Sequence, residues 1–377
     1  MSTTLTRAAW VEVDLAALRH NVKEIINRVG PDCQLMGVIK ANGYGHGATA
    51  TATALGSCGV SRFAVATIQE ALHLRNAGCQ KPITILSPCP PEAAYLLVEQ
   101  HFQPLISSLE DAKALSKAAS KADRQVEIFI PIDTGMCRLG LDPAEKSSVD
   151  LVKKMAAVPN ITVLGLFSHF SSADEASPDF TQQQHRRLLY FRDSLKAQGV
   201  TVGSLCIANS GAIMNYPETW HEIVRPGIIL YGLYPSNDIP HDSLDLWPAM
   251  QVKAKITRLR WVKENTAVGY GRKWHSPGRS LIATAPVGYA DGFPRILSSK
   301  TRVLVHGTSV PQVGNICMDQ FMFDVTNVPD VKEGDVVTLL GIDGDEKIPA
   351  EELAQLAGTI NYEIVCNFGQ RLPVVYK

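Results

Sequence analysis

Short apolar runs alternate with amphipathic stretches over roughly the first 235 residues of the chain. The segment Trp10-Val11-Glu12-Val13-Asp14 has the two-residue alternation of a strand. Residues 15–29 have helical spacing that stops at Gly30-Pro31. The apolar runs that follow are 35–40, 62–66, 83–86, 104–106, 126–132, 162–168, 202–208 and 222–230. Helical candidates at 69–76, 92–100, 109–121, 144–157 and 181–198 lie between them. Strands that are apolar along their whole length, alternating with helices, are buried on both faces and pair in parallel. Eight such units over this length predict a (β/α)8 TIM barrel. A doubly wound sheet is the alternative, because periodicity cannot count closure.

The pattern changes near Pro235-Ser236-Asn237-Asp238. Helical spacing becomes scarce, and strand-like runs follow at 250–262, 280–285, 303–305, 320–325 and 335–340, with one helix at 350–357. Turn residues separate them: Ser276-Pro277-Gly278, Glu333-Gly334-Asp335 and Asp343-Gly344-Asp345. The expected organisation is a barrel over 14–240 and a mostly β domain over 241–377, to which the N-terminal strand at 8–13 also belongs.

Composition narrows the function. The 377 residues exceed one ordinary core, which agrees with two domains. A net charge of −1 with no basic block argues against nucleic acid and anionic membranes as partners. No apolar run approaches the ~20 residues of a membrane span, and the first seven residues carry no apolar signal core. The eight cysteines (33, 58, 79, 89, 137, 206, 317 and 366) are scattered without a Cys-x-x-Cys pair. Reduced thiols in a cytoplasmic protein are expected, with no metal site.

The polar residues that interrupt this pattern fall at the ends of the apolar runs. Lys40 ends the first. Asp133-Thr134-Gly135-Met136-Cys137-Arg138 follows the fifth, Ser168-His169 ends the sixth, Asn209-Ser210-Gly211 follows the seventh, and Arg225-Pro226-Gly227 lies within the eighth. In a TIM barrel those ends form the active-site rim. Each has a purely structural explanation taken singly; five on one rim point to a site. A desolvated lysine is a nucleophile for carbonyls. The glycines of Ala41-Asn42-Gly43-Tyr44-Gly45-His46-Gly47, and the helix expected after them, suit close approach to an anion. Asn209-Ser210-Gly211 and Gly227-Ile228 suit phosphate. Neither a dinucleotide Gly-x-Gly-x-x-Gly nor a nucleotide P-loop is present. The expected ligand carries a carbonyl and a phosphate.

Read as an ordered set, these motifs resemble the alanine racemases over nearly the whole chain. The set is Val38-Ile39-Lys40-Ala41-Asn42-Gly43-Tyr44-Gly45-His46-Gly47, Asp133-Thr134-Gly135-Met136-Cys137-Arg138-Leu139-Gly140, Ser168-His169-Phe170, Ala208-Asn209-Ser210 and Arg225-Pro226-Gly227-Ile228. It continues with Gly269-Tyr270-Gly271, Gly288-Tyr289-Ala290-Asp291-Gly292, Cys317-Met318-Asp319 and Asn361-Tyr362-Glu363. The resemblance implies pyridoxal 5′-phosphate as cofactor, held by Lys40 as an internal aldimine. It implies Lys40 and Tyr270 as bases on opposite faces of the alanine Cα, Tyr270 crossing a homodimer interface into a shared site. His169 would assist Tyr270, and Arg225 would face the pyridine nitrogen and keep it unprotonated. Tyr44, Asn209, Ser210, Gly227, Ile228 and Tyr362 would cradle the cofactor. Arg138, with Cys317, Met318 and Asp319, would receive the substrate, and the bulk of Tyr362 and Met318 would favour alanine. The product would be D-alanine for peptidoglycan.

Two departures from the family stand out. Pro131 occupies a position where these enzymes often carry a carbamylated lysine that steadies the arginine at 138, and Asn315 replaces a common arginine. The rival readings are a serine or lysine racemase of broader specificity and a barrel-type decarboxylase; the latter would bring a carboxylate to the pyridine nitrogen where Arg225 stands.

Overall fold

A computed structural model describes residues 7–377. The chain divides into two compact units. One contains Ala17–Gly43 and Ala48–Trp247; the other joins the N-terminal segment through Ala16 with Tyr44–Gly47 and Pro248–Lys377. In chain order the strands are β1 (Ala9–Val13), β2 (Gln34–Val38), β3 (Arg62–Val65), β4 (Ile83–Ile85), β5 (Phe102–Pro104), β6 (Val126–Pro131), β7 (Ile161–Phe167), β8 (Ser204–Cys206) and β9 (Ile223–Val224). They continue with β10 (Met250–Lys255), β11 (Arg258–Val262), β12 (Ala267–Val268), β13 (Trp274–His275), β14 (Ser280–Ala285), β15 (Arg302–Val305), β16 (Thr308–Val313), β17 (Phe321–Asp324), β18 (Val336–Asp343), β19 (Glu346–Ile348) and β20 (Val374–Tyr376).

In the first unit β2 to β9 correspond to the eight predicted runs, and every pairing among them is parallel. The order β5-β4-β3-β2-β9 and the order β6-β7-β8 join at two seams. At one, Leu105 bridges Phe129 and the Ile106 N–H donates to the Phe129 carbonyl. At the other, the Arg225 N–H donates to the Ala208 carbonyl. The ring is therefore closed, which settles the choice against the open sheet. Helices follow the strands, several with the caps their sequences advertise. Thr67 and Glu70 form a capping box, and Ser108 accepts from the Asp111 N–H.

The division falls after Trp247, later than the 240/241 boundary expected. Asn21 explains this: its amide donates to the Trp247 carbonyl (2.9 Å) and accepts from the Trp247 N–H (2.8 Å), while His20 stacks on the indole at 3.9 Å. That stretch is thereby tied to the barrel's first helix, Leu15–Val29.

The second unit is a ten-stranded sheet in the order β11-β14-β17-β16-β15-β18-β10-β1-β20, with β19 beside β18 and a separate β12–β13 hairpin. All of its pairs are antiparallel except β1 with β20. The run 250–262 is two strands, broken at Ile256-Thr257. The β16 strand, the β12–β13 hairpin and the helix Asn361–Asn367 were not predicted. Phe293, Phe321 and Phe323 are fully buried and pack with ring centroids 5.0 and 5.5 Å apart. Tyr44–Gly47 belongs to this unit through close backbone approach. A Cβ on Gly45, whose φ is +81°, would lie 2.3 Å from the Val365 carbonyl oxygen.

Candidate active site

Lys40 follows β2 at the C-terminal rim of the barrel. The turn behind it is left-handed, with φ/ψ of 51°/49° at Ala41, 54°/46° at Asn42 and 63°/44° at Gly43. Two of these are not glycine, and such residues cost of order 1–3 kcal/mol each unless the surroundings over-determine them. Here the surroundings do. The Ala41 N–H donates to Glu70 Oε1 at 2.6 Å, the Asn42 side chain accepts from the Ala48 N–H at 2.9 Å, and the Gly43 N–H reaches the Ile39 carbonyl at 2.9 Å. Glu70 also accepts from the Ala66 and Thr67 N–H groups, so one carboxylate caps its own helix and pins the loop after the lysine. Sequence reasoning passed over Glu70, although Thr67-x-x-Glu70 is a capping-box signature.

Arg225 is 3 % exposed and held on every side. Its guanidinium lies 4.0 Å from the Phe167 ring centroid. Nη1 donates to the Cys206 carbonyl (2.6 Å) and thiol (3.1 Å). Nη2 donates to the carbonyls of Ser168 (2.6 Å) and Ile207 (3.2 Å) and to His169 Nδ1 (2.9 Å). Every partner among the described residues is neutral, so no carboxylate cancels the charge. Because Arg225 can only donate, His169 Nδ1 must accept, and a neutral imidazole here carries its proton on Nε2. Burial, and then the cations of Arg225, Arg138 and Lys40, hold the His169 pKa well below the usual imidazole value. That set of neighbours also shows that Lys40, Arg138, His169 and Arg225 converge on one region.

Asn209 caps the short helix Ser210–Asn215 by accepting from the Ala212 N–H. The Ser210 hydroxyl accepts from the Gly227 N–H at 2.9 Å, joining the loops after β8 and β9, and Ile228 opens a buried 3-10 turn. Arg138 is exposed, on a loop closed by the Ile132–Leu141 bridge and by Asp133, which accepts from the Gly135 and Cys137 N–H groups. At position 131 the proline ends β6, and the Leu141 N–H caps its carbonyl. A lysine carbamate has no counterpart there; the backbone network of the loop holds the arginine's segment.

The other predicted residues belong to the β unit. Tyr44 is buried, which pushes its phenol pKa up, and its ring centroid is 6.1 Å from that of Tyr362. Tyr270 is 72 % exposed and opens a single 3-10 turn; Asn315 Nδ2 fixes its carbonyl at 2.7 Å. The Cys317-Met318 backbone is held by the next motif, Tyr289 N–H to the Cys317 carbonyl and Ala290 N–H to the Met318 carbonyl, both 3.0 Å. Gly288 permits this approach, since a Cβ there would lie 2.3 Å from the Cys317 and Met318 carbonyl oxygens. Asp291 anchors the Gly288-Tyr289-Ala290 segment. Fully buried, it accepts from Arg7 through both oxygens (2.5 and 2.7 Å) and from the Gly288 N–H (2.9 Å). Arg371 connects it to Asp319.

Comparison with known proteins gives the chain's family and fold. Residues 13–235 match the family description "Alanine racemase, N-terminal domain", and residues 249–376 match "Alanine racemase, C-terminal domain". A protein of Methanococcus maripaludis named alanine racemase is 44 % identical over 97 % of this chain and 98 % of its own length. The solved alanine racemase of Clostridium difficile 630 superposes with a TM-score of 0.94 at 38 % identity, covering 99 % of this chain and 97 % of that one. The alanine racemase of Bacillus anthracis, solved with bound L-Ala-P, gives 0.93 at 34 % identity, covering 100 % of this chain and 96 % of that one.

Proposed function

The chain belongs to the alanine racemase family, and from that premise we propose that Lys40 and Tyr270 serve opposite faces of the alanine Cα. The protein is a pyridoxal-phosphate-dependent isomerase that interconverts L-alanine and D-alanine. The side chains suit that cofactor: an amine at a barrel strand end, a serine hydroxyl beside Gly227-Ile228 for phosphate, and a guanidinium with only neutral partners. Lys40, Tyr44, Asn209, Ser210, Arg225, Gly227, Ile228 and Tyr362 would hold it. When bound, the cofactor delocalises the charge left by loss of the α-proton.

The observation that carries the racemase reading is Arg225. A guanidinium keeps its protons at any ordinary pH, so Arg225 would hold the cofactor's pyridine ring without giving it a proton. Bound that way, the cofactor would supply only moderate electron withdrawal, which would suit proton return to Cα over side reactions. A decarboxylase would want a carboxylate in this place, and none is among Arg225's partners. His169, its tautomer set by Arg225, would present Nε2–H to Tyr270 of the partner subunit and assist its ionisation. Arg138 and the Met318 backbone N–H would hold the substrate carboxylate, with Cys317 and Asp319 shaping that loop. The bulk of Tyr362 and Met318 favours alanine over serine or lysine.

Exposure of Tyr270, Met318 (53 %) and Tyr289 (41 %) supports a homodimer with shared sites, because exposed large apolar groups mark association surfaces. All eight cysteines are free thiols, which supports action in the cytoplasm, where D-alanine is made for peptidoglycan. No helix among the described residues is long and apolar enough to cross a membrane.

The test is L-alanine in deuterated water. The α-hydrogen should exchange as D-alanine forms. Exchange without inversion would reject Tyr270 as the second base, and no exchange would reject Lys40 as the first.

A further inference from the structure

Gln184 has no solvent exposure and lies on the apolar face of the Asp179–Ala197 helix, with Leu188, Phe191 and Leu195. Its amide makes four hydrogen bonds. Oε1 accepts from the Ser171 N–H (3.0 Å) and the Ser171 hydroxyl (3.2 Å). Nε2 donates to the His169 carbonyl (3.0 Å) and the Thr134 hydroxyl (3.2 Å). The amide's orientation is not arbitrary, since a backbone N–H can only donate and so fixes which end is oxygen. Protons then order themselves along a chain. Gln184 donates to Thr134 Oγ1, Thr134 donates to Ser168 Oγ (2.9 Å), and Ser168 donates to the Ile132 carbonyl (2.8 Å). One turn further along the helix, Arg187 donates to the Thr134 carbonyl at 2.8 Å.

One side chain therefore fastens the loop after β6, which carries Arg138, to the loop after β7, which carries His169. Arg225 grips the imidazole of His169 and the Ser168 carbonyl from the other side. We infer that Gln184 is a positioning residue for the racemase reaction, setting His169 and the Arg138 loop at one fixed separation without touching the substrate. This rests on the roles proposed above for His169 and Arg138. A fully satisfied buried network specifies one geometry, and a partly satisfied one is worse than an apolar substitute.

Gln184→Leu and Gln184→Glu separate this from ordinary packing. Leucine keeps the volume and removes all four bonds. Glutamate keeps the acceptor for Ser171 but sets a second acceptor against the His169 carbonyl and Thr134, and brings a carboxyl group beside the His169 backbone. Both variants, loaded with cofactor, should lose about 10- to 100-fold in kcat/KM for alanine, the range of a displaced catalytic partner. The glutamate variant alone should move the acid limb of the kcat/KM profile to higher pH, and imidazole titration by NMR should show His169 raised. Wild-type kcat/KM within about twofold in both variants, or a loss that tracks only the unfolded fraction with an unshifted profile, overturns the inference. A wild-type enzyme whose His169→Gln and Arg138→Ala variants keep full activity would instead overturn the roles on which it rests.

Discussion

The two units hold their candidate site residues by opposite means. In the barrel the working groups are fixed through their side chains. Arg225 is caged by five neutral acceptors and an aromatic face, and the His169 backbone is fastened by Gln184. In the β unit Tyr270 and Met318 are exposed and held through the main chain, by Asn315 on one carbonyl and Ala290 on the other. A side chain locked by its own chain can keep an unpaired charge or a chosen tautomer. A side chain fixed only at its backbone is free to meet a surface its own chain does not supply. The barrel residues are held so as to fix charge and tautomer, and the β-unit residues are left exposed.

The largest expected effect breaks that division directly. Lys40→Ala and Tyr270→Phe should each abolish most activity as separate homodimers. If the β half serves the other subunit, unfolding and co-refolding the two variants in equal amounts should restore about a quarter of wild-type activity. Half of the dimers would be hybrids, and one of the two sites in each hybrid would hold both wild-type groups. No restoration in hybrids isolated by two affinity tags would show that each chain completes its own site.

A smaller effect tests whether backbone support alone positions Met318. Asp291 ties Arg7, Gly288 and Arg371 behind the Tyr289-Ala290 segment, which hydrogen-bonds to Cys317 and Met318. Asp291→Asn removes the charge and keeps the shape. If Met318 binds the substrate carboxylate equally in ground and transition states, KM for alanine should rise about tenfold with kcat little changed, roughly the ~1.5 kcal/mol of one charge-assisted hydrogen bond. A fall in kcat at unchanged KM would mean that the loop acts on the chemical step.

The barrel half was also the more legible in the sequence, for a physical reason. Strands buried on both faces read as unbroken apolar runs, and the polar residues ending them stand out. Strand β16 contains Pro311 and polar positions, and β12 and β13 have two residues each, so neither leaves a periodic trace. The left-handed turn at Ala41 and Asn42 was hidden because nothing in those side chains demands it; Glu70, distant in sequence, does. Gln184 left a faint signal, a polar residue at the helical spacing of Leu188, Phe191 and Leu195, where only a satisfied amide can be tolerated. What it bonds to is set by tertiary structure and could not be read.

The smallest effect concerns pH. His169 is buried neutral, so its folded pKa is depressed while the unfolded chain keeps an ordinary imidazole. The unfolded state then binds the extra proton. Stability from this group is fully present above the unfolded pKa near 6.5 and is lost as pH falls below it, by at most ~1.4 kcal/mol per pH unit. His221, pushed down to about 4 by burial and by His185 at 2.8 Å, adds a loss of the same sign. His169→Gln removes only the first contribution. Urea midpoints at pH 7.0 and 5.5, at fixed protein and cofactor concentration, should fall less for this variant than for wild type. Equal falls would mean that His169 takes up its proton in the folded enzyme. Three surrounding cations and a donor on Nδ1 would then fail to keep it neutral, and the barrel half would not control its own electrostatics.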